Sequence, residues 1–246
     1  MPRRTAGSGG TRHHTYRHQR LLRPDRGQRA HQGSPLPYPA DLHLVTKVGA
    51  RRGDDGSWIH SEEPASLKAQ VHENLEHLGL GVLDVVNLRT AAHDGGSEDS
   101  IAESFTVLAE LQQEGLIRHL GLSGVTITQI REAQTIAPVV TVQNRYNLVR
   151  RHDDDVVDYC ADQNIAFASF FPLGGFTPLQ SETLAKVATR LSATPQQVAL
   201  AWLLQRSSTS IVIPGTSSVG HLRENVAAAD LVLPADADAD LDTITT

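Results

Sequence analysis

Short apolar runs and helical stretches with one apolar face alternate from residue 42 onward. Residues 42–47 (LHLVTK) predict a strand that ends on a cation, followed by a polar loop over residues 49–63. Pro64 then opens a helix, because Leu67, Val71, Leu75 and Leu78 recur at helical spacing. Residues 82–88 (VLDVVNL) form the next strand. The helix over 100–114 has Ile101, Phe105, Leu108 and Leu111 on one face and stops at Gly115. Strands at 119–122, 139–143, 165–170 and 210–213 follow, with helices at 126–137, 153–163, 181–191, 195–205 and 219–228 between and after them. Asp153, Asp154 and Asp155 suit the positive end of a helix dipole.

A strand is followed by a helix six times. That alternation predicts parallel strand pairing and an α/β fold, either a doubly wound sheet or a (β/α)8 barrel. No strand is followed by Gly-x-Gly-x-x-Gly, which lowers the open-sheet dinucleotide fold. In a parallel barrel, chemistry gathers at the C-terminal strand ends. Here those ends carry Lys47, Arg89, Ser123, Gln143, Phe170 and Gly215.

Charge divides the chain near residue 40. Residues 1–40 hold eight Arg, no Lys, one acidic residue and no Val, Ile or Phe, a net charge of +7; the rest of the chain carries –13. A stretch without β-branched aliphatics or Phe, and with only Leu21, Leu22 and Leu36 as large aliphatics, cannot bury enough apolar area to offset its backbone entropy. This head is expected to be disordered and not the natural N-terminus, since Arg without Lys among scattered Gly, Pro and His is what a GC-rich gene gives from a misplaced start or a shifted frame. A basic nucleic-acid arm and a targeting peptide are the weaker readings. His13, His14 and His18 lack a neighbouring Cys or carboxylate, so no metal site is assigned. Residues 41–246 suit one domain. Cys160 stands alone, which fits a reducing cytoplasm, and no apolar run approaches a membrane span. The acidic body argues against nucleic acid as a partner.

The phrases TKVG (46–49), LDVVNLR (83–89), IRHLGLSG (117–124), VQNRYN (142–147), FFPLGG (170–175) and IPGTSSVGHLREN (213–225) occur in an order that resembles the third to eighth βα units of the aldo-keto reductase family. The resemblance implies a (β/α)8 TIM barrel. It also implies NADP(H), with NAD(H) the weaker alternative, and hydride transfer to a small aldehyde or ketone by a monomer. Lys47 falls at the position of the family's Lys, which lowers the pKa of a catalytic Tyr; a phenol near pKa 10 is a poor proton relay without a nearby cation. Arg89 stands where His is usual, five residues after Asp84. It can polarise a carbonyl but not shuttle a proton.

On the cofactor side, Ser123 and Gln143 match residues that hold the nicotinamide carboxamide, with Gly124 replacing an Asn. Phe170 matches a ring that stacks on the nicotinamide. Pro172, Leu173 and Gly174 match the loop over the pyrophosphate. Gly215, Thr216 and Ser217 lie before a helix, a natural anion site. Glu224 and Asn225 match adenine contacts. Gly215 and His221 stand where many relatives have Lys and Arg. Asn87 is expected to face the helices or to make a polar core contact. Trp58 either lines a pocket or packs on a helix.

Two βα units that carry the family's Tyr and its Asp have no counterpart phrase. Tyr16, which has Thr11 rather than Asp five residues earlier, and Tyr38 are both poor candidates. The sequence thus predicts a barrel incomplete at its N-terminus, with about six recognisable units, edges at residues 42–47 and 210–213, and marginal folding. The alternative to an active reductase is a catalytically inactive remnant that binds nucleotide weakly or not at all.

Overall fold

The computed structural model describes residues 14–17, 38–39, 41–90, 99–175, 179 and 181–244. Strands β1 (His14–Arg17), β2 (Leu42–Arg52), β4 (Leu83–Arg89), β5 (Ile117–Ser123), β6 (Val139–Gln143), β7 (Ala166–Ser169) and β8 (Ser210–Val212) follow one another across a parallel sheet, and β3 (Trp58–Ser61) pairs with β2 off this path. Helices α1 (Pro64–Leu78), α2 (Ala102–Gln113), α3 (Ile127–Gln134), α4 (Asp154–Asp162), α5 (Glu182–Arg190), α6 (Pro195–Arg206), α7 (Val219–Ala227) and α8 (Ala235–Asp242) connect or follow the strands.

Local chemistry sets the helix limits. Pro64 occupies the first turn of α1, and Gly79 ends it in the left-handed region at φ 65°, where a side chain would be strained. Thr126 and Gln129 form a reciprocal capping box on α3, and Thr194 and Gln197 form one on α6. The helix-facing strand residues Val86, Leu88, Leu120, Leu122, Val142 and Phe167 are buried against Leu67, Val71, Phe105, Leu108 and Trp202. Burial of such side chains is worth about 1.5–3 kcal/mol each, which makes this layer the source of most of the fold's stability.

Two expectations change. Residues 42–47 are not a sheet edge, because β1 pairs with β2 in parallel, Tyr16 beside Leu44. A ladder needs main-chain groups more than branched side chains, so HTYR can pair despite its composition. Residues 49–63 are not simply a loop: β2 runs on to Arg52, turns, and pairs antiparallel with β3, Arg52 opposite Trp58. The C-terminal end, to which no element was assigned from the sequence, carries α8, anchored by buried Ala237 and Leu241. Among the described strands β8 pairs with β7 alone, so that edge is open as expected. Apart from residues 14–17 and 38–39, residues 1–40, to which a disordered head was assigned, lie outside the described residues.

Candidate active site

Parallel register decides which residues meet. Arg89 pairs with Ser123, and Ser123 with Gln143, so these three side chains form one row across β4, β5 and β6. One pleat earlier lies the row Lys47, Asn87, Gly121, Thr141. Side chains alternate along a strand, and the intervening residues Val48, Leu88, Leu122 and Val142 belong to the helix-side core. Both polar rows therefore face away from the helices, into the concave side of the sheet. Of the two expectations for Asn87, the one that turns it toward the helices does not hold; it is a buried polar residue on the concave side.

The upper row is partly desolvated. Ser123 and Gln143 are buried, and Gln143 Nε2 has no hydrogen-bond partner. Burying such a donor unpaired costs about 1–3 kcal/mol, so an amide held this way suits a ligand that supplies an acceptor. Asn87 is 1% exposed, and neither its Oδ1 nor its Nδ2 is bonded. Gly121 makes room for it: a Cβ there would come within 2.1 Å of Asn87 Oδ1. Asn144, which the sequence reading did not single out, fixes the β5 exit. Its Oδ1 accepts from Gly124 N at 2.9 Å and Val125 N at 3.1 Å, and its Nδ2 donates to Val125 O at 2.7 Å. The signal was its place directly after Gln143, at a strand end.

The β2–β3 hairpin covers this end of the sheet. Gly49, at φ 102°, sits so close to β4 that a Cβ would lie 2.4 Å from Arg89 O. Trp58 is carried back over Arg89, whose guanidinium carbon lies 4.0 Å from the ring centroid; that of Arg52 lies 4.4 Å away. Trp58 therefore packs on two guanidinium groups, one of which belongs to the upper polar row. Burial, then the nearby charge of Arg52, lowers the Arg89 pKa to about 10, which still leaves it protonated at neutral pH.

Phe170 follows β7, half-buried; its N–H donates to Asn144 O at 3.0 Å. It stacks edge-on with Phe171, centroids 5.4 Å apart. Pro172 is buried, while Leu173 and Gly174 are half-buried in a turn closed by Gly174 N donating to Phe171 O. Gly215, Thr216 and Ser217 are exposed, next to the start of α7, where the Ser218 hydroxyl accepts from His221 N. His221 and Glu224 are exposed on α7 and Asn225 is half-buried. Gly215, Thr216 and Ser217 thus precede the N-terminus of α7, while Glu224 and Asn225 lie in its second half.

The profile of the aldo/keto reductase family matches residues 36–245. The chain belongs to the aldo/keto reductase family. It is 59% identical over 210 residues to pyridoxine 4-dehydrogenase of Escherichia coli, covering 85% of this chain and 73% of that protein. It is 27% identical to the NADP(+) aldo-keto reductase yakc of Schizosaccharomyces pombe, covering 78% of this chain and 66% of that one, just under two thirds of its length. A thermostable aldo-keto reductase solved with the inhibitor epalrestat superposes with a TM-score of 0.68 at 27% identity, covering 83% of this chain and 72% of that chain. The solved relatives are (β/α)8 barrels, and the curled parallel sheet here is an incomplete version of that barrel.

The family's proton-donating Tyr is not found among the described side chains at the two rows. Tyr146 is buried on the helix side, where Asp154 accepts from its hydroxyl, and Tyr159 donates to Gln134 at 2.8 Å. Tyr16 pairs with Leu44, so the register does not bring it level with Lys47. No helix among the described residues is long and apolar enough to cross a membrane.

Proposed function

We propose that this aldo/keto reductase reduces small aldehydes and ketones with NADPH, and that pyridoxal is the first substrate to test. The observation that carries this reading is the row Arg89, Ser123, Gln143 above Lys47, with Gln143 Nε2 buried and unbonded. These residues fit a nicotinamide: Ser123 and Gln143 would hold its carboxamide, Phe170 would lie against the ring, and the turn at Pro172, Leu173 and Gly174 would pass the pyrophosphate. Gly215, Thr216 and Ser217 would receive the second phosphate, and Glu224 and Asn225 the adenine. When bound, the reduced nicotinamide supplies the hydride.

The chain's own groups do the rest. Arg89 donates to the carbonyl oxygen and stabilises charge that develops there. Its pKa, though lowered, is too high for it to release a proton at neutral pH. Lys47 would stabilise a phenolate and so tune the proton donor. NADPH is favoured over NADH by the NADP(+) of the fission-yeast aldo-keto reductase yakc. His221 and Gly215, rather than Arg and Lys, would face a 2′-phosphate, so the preference is expected to be weak. A monomeric cytoplasmic enzyme is the working picture.

A second reading, an inactive barrel remnant, is favoured by one observation: β8 is unpaired on its outer side among the described strands. Titrating the purified chain with NADPH and then adding pyridoxal separates the two. Saturable binding followed by NADPH oxidation supports the enzyme. Binding without oxidation supports the remnant, and neither binding nor oxidation ends the first reading.

A further inference from the structure

The hairpin that carries Trp58 over Arg89 has little apolar anchorage of its own. In β3 only Ser61 is buried, and Ile59 is 53% exposed. Two further ties lie near the surface: Arg51 pairs with Glu73 of α1 at 3.1 Å, and Ser104 Oγ donates to Glu62 O at 3.2 Å. An exposed ion pair of this kind holds little. Yet the hairpin leaves the sheet at a defined point. Strand β2 pairs with β4 up to Val48, beside Leu88, and with β3 from Gly49, beside Ser61. Gly49 is therefore the hinge between the two pairings, and a Cβ there would lie 2.4 Å from Arg89 O.

Gln70 of α1 closes that hinge. It interrupts the apolar face of the helix, three residues after Leu67 and one before Val71, and it is 5% exposed. Burying an amide is costly unless its polar atoms are bonded. Here Oε1 accepts from Gly49 N at 3.0 Å, and Nε2 donates to Ser61 O at 2.8 Å and to Ser66 Oγ at 3.1 Å. One side chain thus takes the donor of one strand and the acceptor of the other at a single rung. Arg52 and Trp58 pair three rungs further out. A strand rises about 3.4 Å per residue, so those rungs make a lever of about 10 Å, and a tilt of about 10° at Gly49 moves the indole by about 2 Å. That is half of the 4.0 Å that separates the Trp58 ring centroid from the Arg89 guanidinium carbon.

We propose that Gln70 is a positioning residue of this site. By holding the Gly49–Ser61 rung it keeps Trp58 on Arg89, and so keeps the guanidinium in line with the substrate carbonyl. This rests on the reductase reading above, in which Arg89 meets that carbonyl, and deepens it by naming the residue that sets the position of the donor.

The test reads Trp58 and turnover separately in the full chain. The chain has two tryptophans, so the Trp58 signal is the fluorescence of each protein less that of its Trp58→Phe counterpart. Gln70→Met keeps the length of the side chain without the amide. It is expected to raise acrylamide quenching of Trp58 about twofold and to lower kcat for pyridoxal about tenfold, with KM held within about twofold. Val71→Ala opens a cavity at the next residue of α1, which is fully buried, and leaves the hinge bonds in place. It is expected to lower the urea midpoint while both readings stay at parent values. Parent quenching or parent kcat in Gln70→Met, or equal changes in the two variants, overturns the proposal. Hydrogen exchange in the unaltered chain needs no variant: the Gly49 amide is expected to exchange about 10²-fold more slowly than a free amide. Free exchange there overturns the proposal even where Gln70→Met does not fold. A chain that oxidises no NADPH with any aldehyde, while Gln70→Met releases Trp58, refutes the reductase reading alone. A chain that reduces aldehydes and keeps both readings unchanged in Gln70→Met refutes the role of Gln70 alone.

Discussion

The two polar rows across β2–β6 and the segment over residues 213–227 carry the family's phrases equally well, yet they are built in opposite ways. In the rows, Ser123, Gln143 and Asn87 are buried, fixed by parallel register, and backed by a continuous apolar layer. In the later segment, no residue of α7 is buried, and its start is held by the Ser218 cap. A sequence match reports what a site descends from. Burial and register report how far the fold has already organised it before a ligand arrives, and only the rows are organised in that sense.

If the rows are the chemical centre, removing their charged donor has the largest effect. Arg89→Gln is expected to lower kcat/KM for pyridoxal by about 10²–10³, in the range for losing one preorganised donor to a developing oxyanion. Steady-state assays at several pyridoxal concentrations check this, with the far-UV spectrum unchanged. A loss confined to KM would recast Arg89 as a binding group only.

Next comes the packing that keeps the lower row in place. Gly121→Ala puts a Cβ 2.1 Å from Asn87 Oδ1, 2.5 Å from Thr141 Cγ2 and 2.7 Å from Thr141 O. The carbonyl is main chain and cannot turn aside. The expected loss is about 1–3 kcal/mol, read from the urea midpoint. An unchanged midpoint would mean that β5 and β6 are not in this register.

Much of this architecture could be read from the residues, for reasons that also explain what could not. The helices over Pro64–Leu78 and Pro195–Arg206 were legible because apolar period and Pro at the first turn agree. Strand β6 was legible to the residue. The β2–β3 hairpin was not, because Trp58–Ser61 reads WIHS and alternates weakly; the usable signal was Asp55-Gly56, a hairpin turn pair between Arg52 and Trp58. The facing of Asn87 was hidden because LDVVNLR is buried on both faces, so no polar–apolar alternation marks its sides. The site residues could be named from the family phrases, but the partnership of Arg52, Trp58 and Arg89 depends on the hairpin and so had no linear signature. Helix α8 reads ADADADLD, a period of two that conceals the i, i+4 pair Ala237 and Leu241.

A smaller effect probes the cap that starts α6. Thr194→Ala removes the acceptor for Gln197 N and breaks one half of a capping box. The expected cost is about 1 kcal/mol in the urea midpoint, with no change in NADPH affinity. An altered affinity would tie α6, which belongs to the apolar backing, directly to the cofactor.

The smallest effect is expected on α7, where the comparison is most exposed to contradiction. Val219, Leu222 and Val226 are 65%, 53% and 64% exposed and recur at helical spacing, so they form an apolar stripe. If that stripe faces solvent, changing it removes almost no buried area. Leu222→Ser with Val226→Ser should then shift stability by no more than about 0.5 kcal/mol, the usual range for surface sites. Covered residues would behave otherwise, because truncating a buried Leu costs about 2–5 kcal/mol. Urea denaturation of the double variant reads the difference directly. A large loss would place α7 in the same class as the rows, and residues Gly215 to Asn225 would then be part of a preformed nucleotide site.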